Sequence, residues 1–303
     1  MKFAAIDIGS NAARMQISSV LHHSESISFK KMEYVRFPLR LGLDVFRTGS
    51  IGEGKQTEIL KLLQAYKLLM ELHKVEDYLL MATSAMREAS NGESLAQKVK
   101  DELGLNLMII SGDQESEIVN KGLLRVLDEK NYLHIDVGGG STELTLFSQK
   151  KPLFSKSFPI GSIRFLENTV SEKNWREMQT WVEKNVKETA TKLTAVGIGG
   201  NINKIWELAK KKGKSLTIKE IEEVIMKISK TDIETLINEW ELNPDRADII
   251  IPASNVYLSV MKWAKIKEII VPGLGLKDGM LEILAEKHQL GKTTYHELEV
   301  GKW

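Results

Sequence analysis

Cysteine is absent from the 303 residues, which excludes disulfide frameworks, thiolate metal sites and cysteine nucleophiles, and makes a reducing compartment the natural expectation. Proline is scarce, with six residues, and no apolar run approaches the length of a membrane span. The chain opens directly on a buried-strand pattern, without a charged segment leading into a long apolar stretch, so the expected location is the cytoplasm, with no membrane partner. Basic residues are not interleaved with aromatics and form no recognition motif, so no nucleic-acid partner is expected. What is present is the composition of an ordinary globular protein, 42% hydrophobic and 27% charged, long enough for two domains. The net charge of +1 hides an asymmetry, because residues 151–230 carry 16 Lys and Arg against 9 Asp and Glu. A segment with that excess either attracts a polyanion or forms a set of solvated helix faces, the commoner reading of such a bias.

The strongest internal signal is a repeat. "AAIDIGSNAARMQIS" (4–18) and "HIDVGGGSTELTLFS" (134–148) superpose at an offset of 129 residues, matching Ile6 with Ile135, Asp7 with Asp136, Gly9 with Gly138 and Met15 with Leu144. Each copy runs from an apolar strand through an aspartate and a turn of small residues into an alternating stretch, the pattern of a β-hairpin. Strand-like segments follow both: "SISFKK" and "EYVRFPLRL" after the first, "PLFSKSFPI" after the second. Helical spacing appears over 55–74, at Ile59, Leu63, Tyr66, Met70 and His73, and over 172–193, at Trp175, Met178, Val182 and Val186. Short apolar runs at "YLLMATSA", "LNLMIISG", "TAVGIGG" and "EIIVPGLG" read as central strands. Residues 210–230 read as a basic loop and a helix, 253–262 as a helix, and a last helix follows Gly279. Each half is therefore an α/β unit with a mixed sheet flanked by helices, divided at 1–128 and 129–303, with the terminal helix expected to pack back on the N-terminal lobe.

The turns carry the candidate chemistry. Consecutive glycines at Gly138, Gly139 and Gly140 let backbone amides point into one concavity, which binds phosphate oxygens. An aspartate at the strand end before such a turn suits a divalent cation, making Asp136 and Asp7 candidate ligands.

The motif series "DIGSN" (7–11), "ATSAMREA" (82–89), "IISGDQESE" (109–117), "IDVGGGSTEL" (135–144), "VGIGGNINKI" (196–205), "RADIIIPA" (246–253) and "GLGLKDGML" (273–281) resembles the exopolyphosphatase/guanosine pentaphosphate phosphohydrolase (Ppx/GppA) family. The resemblance implies the duplicated actin-like ATPase fold, also that of sugar kinases and heat-shock cognates and related to ribonuclease H. It places the active site in an interdomain cleft. It also implies that Glu115 is the general base for water, that Arg87 and Arg14 hold phosphate oxygens, and that Ser10 and Asn11 belong to the first phosphate loop. Ser141 would then belong to the second loop and Glu143 to the metal region. Basic residues of the second half, Arg164, Lys204 and Lys210 to Lys214, would hold the remainder of a long polyanion. The implied reaction is metal-assisted release of terminal phosphate from polyphosphate or guanosine pentaphosphate, with magnesium or another divalent cation as cofactor, by a protein that pairs with itself. The sequence departs from the family pattern at Ala12, Gln114, Asn201 and Leu274. Alternative readings are an ATP-dependent small-molecule kinase of the same fold, or a polyphosphate- or alarmone-binding protein without turnover.

Overall fold

A computed structural model of the chain describes residues 1–24, 26–189, 192–210 and 213–290. Two compact units emerge, one holding Met1–Val126 with the segment that starts at Gly275, the other holding Leu127–Leu274.

In the first unit β1 (Lys2–Ile8), β2 (Ala13–His22) and β3 (Ile27–Phe37) form an antiparallel meander. β4 (Asp77–Ala82) pairs in parallel with β1, and β5 (Leu107–Ile109) with β4, giving the order β3-β2-β1-β4-β5. Parallel neighbours require crossovers. These are α1 (Leu41–Thr48) with α2 (Glu53–His73), and α3 (Ser84–Glu88) with α4 (Gly92–Leu103). α2 turns Ile59, Leu63, Tyr66 and Met70 toward the sheet, the 4-3-4 spacing of one helix face. α5 (Gly112–Leu123) follows β5.

The second unit repeats the plan. β6 (Asn131–Val137), β7 (Thr142–Ser148) and β8 (Lys151–Phe158) form the meander, and β9 (Leu193–Ile198) joins β6 in parallel. β10 (Ser215–Thr217) and β11 (Glu268–Ile270) complete the order β10-β11-β9-β6-β7-β8. With β10 removed, the order is that of the first sheet. The register repeats as well, Ile6 opposite Met15 and Ile135 opposite Leu144. The helices are α6 (Ser162–Leu166), α7 (Glu172–Glu188), α8 (Gly200–Leu208), α9 (Ile218–Ser229), α10 (Ile233–Asn238), α11 (Pro244–Ala247) and α12 (Ile250–Trp263). α12 is apolar nearly all round and fully buries Val256, Tyr257, Val260 and Met261 in the core of this unit.

Some expectations need correction. "SISFKK" and "EYVRF" are one continuous strand, β3, whose register shifts opposite Ile17 and Ser18, and "LRL" has left the strand: Leu41 opens α1. The helix expected over 172–193 ends at Glu188. Residues 215–217 add an edge strand to the sheet, tied on by the Val271 amide to the Lys214 carbonyl at 2.7 Å. Lys211, Lys212 and the tail from 291 lie outside the described residues. No helix among the described residues is long and apolar enough to cross a membrane.

The final helix, α13 (Leu276–Lys287), starts before Gly279 and lies across α5 within the first unit. Glycine sets the approach: a Cβ at Gly279 would collide with the Ile118 carbonyl, and one at Gly122 would lie 3.3 Å from the Gly279 amide. Beside this contact Arg125 Nη2 pairs with the buried Glu282 at 2.9 Å, so the carboxylate is compensated. At the far end of the helix Lys287 Nζ (2.6 Å) and His288 Nε2 (2.8 Å) both meet Asp77 Oδ2 at the start of β4. Burial alone would raise the Asp77 pKa. Hydrogen bonds from Lys287, His288 and the Tyr78 amide outweigh it and hold the carboxyl below its ordinary range. A depressed folded pKa contributes stability above the ordinary carboxylate value, and that contribution is lost as pH falls through the folded value. Asp77→Asn is expected to destabilise by roughly 1 kcal/mol or less at neutral pH. The gap from the parent should close as pH falls below the ordinary carboxylate range, read from urea midpoints; a pH-independent gap would contradict this account.

Candidate active site

At the turn between β6 and β7 all four carbonyls are engaged inward. Gly138 O accepts from the Ser162 amide (3.0 Å), Gly139 O from the Ile163 amide (2.8 Å), Gly140 O from Arg164 Nε (2.5 Å) and Ser141 O from the Gly138 amide (2.9 Å). Two of these acceptors are taken up by the first amides of α6, which need partners at a helix start, one by the Arg164 side chain and one by the turn itself. The amides of Gly139, Gly140 and Ser141 donate to no group among the described residues. The turn is therefore a set of donors with its acceptors withdrawn, the electrostatic form of an anion nest. Close approach to α6 depends on Gly161, where a Cβ would strike the Gly139 carbonyl and lie 2.6 Å from the Gly140 carbonyl carbon.

Beside the turn, Asp136 on β6 lies directly opposite Glu143 on β7, and Glu143 is almost fully buried with Oε1 accepting from Ser157 Oγ at 2.8 Å. Gly199, at φ +106°, opens β9 into α8, and a Cβ there would come within 2.9 Å of Asp136 Oδ1. Two carboxylates on one sheet face repel each other unless a cation lies between them. No group of three or more His, Asp or Glu side chains that could hold a metal forms among the described residues. Asp136 and Glu143 offer oxygen ligands of the kind a hard divalent cation takes.

The equivalent pair in the first unit carries opposite charges. Asp7 faces Arg14 in the same register, with Arg14 Nη1 2.7 Å from Asp7 Oδ2. Here too the turn carbonyls point inward: Ser10 O takes the Gly42 amide, Asn11 O the Arg40 amide and Ala12 O the Gly9 amide, at 2.8–3.1 Å. Ser10 Oγ lies 2.7 Å from Ser84 Oγ, both buried, which ties the turn to α3. One turn along α3, Arg87 donates from Nη1 to the Ile110 carbonyl (2.7 Å) and sits 3.8 Å from Glu115 Oε2. Glu115 stands in the first turn of α5, after a capping box in which Gln114 N–H donates to Ser111 Oγ (3.1 Å) and Gln114 Oε1 accepts from the Ser111 amide (2.9 Å).

The model of the Ppx/GppA phosphatase family matches residues 19–288, nearly the whole chain. The chain belongs to the Ppx/GppA phosphatase family. A Fusobacterium nucleatum protein named bifunctional 3-dehydroquinate synthase/phosphatase is 31% identical over 291 residues, covering 86% of this chain and 43% of that protein. The chain thus spans less than half of that relative's length. The crystal structure of the Aquifex aeolicus Ppx/GppA member is 27% identical, with TM-score 0.74 over 95% of this chain and 99% of that one. An exopolyphosphatase from Cytophaga hutchinsonii shares the fold at 20% identity, with TM-score 0.82 over 96% and 100% of the two chains.

Within this Ppx/GppA chain the expected residues fall into two groups. Asp7, Ser10, Asn11, Arg14, Arg87 and Glu115 belong to the first unit; Asp136, Gly138 to Ser141, Glu143, Arg164 and Lys204 belong to the second. Asp7 is engaged by Arg14, whereas the carboxylate pair lies at Asp136 and Glu143. Arg164 is buried beneath the glycine turn and braces it. Lys204 Nζ is paired with Glu207 at 3.1 Å on α8. Ser84 was not anticipated. Its only sequence signal is a serine inside the "ATSAMR" segment, and its partner lies 74 residues away. Gly161→Ala is expected to push the glycine turn off α6 and weaken phosphate binding by about tenfold or more, because misdirected donors lose most of their hydrogen-bond strength. Titration of the folded variant with inorganic phosphate or tripolyphosphate checks this, and parental affinity would refute the role given to Gly161.

Proposed function

We propose that the chain is a phosphohydrolase that releases the terminal phosphoryl group of linear polyphosphate. The single observation that carries the reading is the Gly139–Ser141 turn, whose amides remain available while its carbonyls are tied back. Membership of a phosphatase family and the exopolyphosphatase named among the structural neighbours support it.

In this reading the turn amides hold phosphate oxygens, and Arg87 and Arg14 spread the charge of the phosphoryl group being transferred. Glu115 orients water and takes its proton as the oxygen attacks the terminal phosphorus; the bridging P–O bond breaks, and the shortened chain leaves with the electron pair. Arg87 Nη1 lies 3.8 Å from Glu115 Oε2, so in this reading the phosphate-holding cation and the base stand side by side. A divalent cation at Asp136 and Glu143 would neutralise phosphate charge. Guanosine pentaphosphate offers the same terminal phosphoanhydride and is the second substrate of this reading.

Supplied with long-chain polyphosphate and magnesium and no acceptor, the protein is expected to release inorganic phosphate; a requirement for an acceptor would instead indicate a kinase. Guanosine pentaphosphate assayed in parallel ranks the two substrates. Glu115→Gln is expected to lower kcat by about 10²- to 10⁴-fold while leaving polyphosphate binding in place, the range of a general base. Undiminished turnover in that variant would reject Glu115 as the base.

A further inference from the structure

We propose that Tyr257, in the apolar helix α12, is a positioning residue that sets the spacing between the glycine turn and the Asp136 carboxylate; the inference rests on the phosphohydrolase reading. The Tyr257 side chain is fully buried in the second unit, yet its hydroxyl reaches the carboxyl ends of two parallel strands. It accepts from the Val137 amide at 3.2 Å and donates to the Ile198 carbonyl. Val137 is the last residue of β6 and Ile198 the last of β9.

Up to this point the strands run in regular register, with Asp136 opposite Ile198. Beyond it they separate, β6 into the Gly138 turn and β9 through Gly199 into α8. The hydroxyl therefore stands where the ladder would otherwise continue. By taking the amide of one strand and serving the carbonyl of the other, it satisfies both groups while holding the chains apart. That insertion fixes where Val137 hands over to the turn whose amides face the phosphate. A Cβ at Gly199 would lie 2.9 Å from Asp136 Oδ1 and 3.6 Å from the Tyr257 oxygen, so carboxylate, hydroxyl and glycine share one small space.

The hydroxyl serves as acceptor for one strand and donor to the other at once. No water could do this as rigidly, because the oxygen is carried by a ring locked in the core.

Tyr257→Phe removes one oxygen and keeps the ring. The folded variant is expected to need about 10- to 100-fold more magnesium for half-maximal phosphate release, the scale seen when outer partners of a metal site are lost. Without substrate, its manganese affinity should weaken, and amide exchange should accelerate in the peptide spanning residues 134–141 but not in β7 or β8. If the parent protein hydrolyses no polyphosphate, the functional reading fails, and the manganese and exchange measurements still decide the role of Tyr257. Parental metal dependence and parental exchange in the variant would overturn the inference. So would uniform acceleration across the second sheet, which marks a packing role alone. Should Tyr257→Phe not fold, Tyr257→Met, which fills the core and likewise lacks the hydroxyl, supplies the same three readouts under the same criteria.

Discussion

The arrangement depends on where the carbonyls of a four-residue turn are satisfied. Gly138 to Ser141 give all four acceptors to α6, to Arg164 and to the turn itself, so that what remains is a cluster of donors. Backbone groups cannot be left unpaired in a protein interior. Tying down one polarity is therefore a way of displaying the other. The price is steric: Gly161 has no room for a side chain. The first unit follows the same rule, with Ser10 and Asn11 tied to the start of α1 and Ala12 to the Gly9 amide within the turn. A shared solution at both hairpins indicates that the duplicated property is the turn's polarity, more than any particular side chain.

Side chains have diverged around that common backbone. The position opposite the aspartate is Arg14 in one repeat and Glu143 in the other, at equal register. One hairpin thereby neutralises its own carboxylate, and the other concentrates negative charge suited to a cation. Arg87 and Glu115 add to the first unit a guanidinium and a carboxylate placed on the short helix α3 and the first turn of α5. The repeats are thus alike in backbone and complementary in charge.

Much of this was legible in the sequence because hairpins and amphipathic helices leave periodic traces. The duplicated turns, the buried face of α2 and the short central strands could be read from alternation and spacing. β3 was read as two pieces because its charged middle, "KKME", faces outward on an edge strand. β10 offers only three residues and no period. Gln114 stood out as a departure from the family pattern, yet its amide completes a capping box, a task glutamine performs as well as glutamate. Ser84 left only its place in the "ATSAMR" segment and Tyr257 no trace, since their partners lie 74 and 59 or more residues away. A tyrosine in an apolar helix looks like core from sequence alone.

β8 closes the second sheet with an edge whose first five residues are exposed, including Leu153 and Phe154. An open edge of that kind invites a strand from another chain. Pro152 withholds an amide donor and Lys151 places positive charge along the margin, while Lys156 is paired with Glu177 at 2.6 Å. Proline and lysine on such an edge are the devices that keep sheets from stacking into insoluble ribbons at the concentrations reached in a crowded cell or a storage tube.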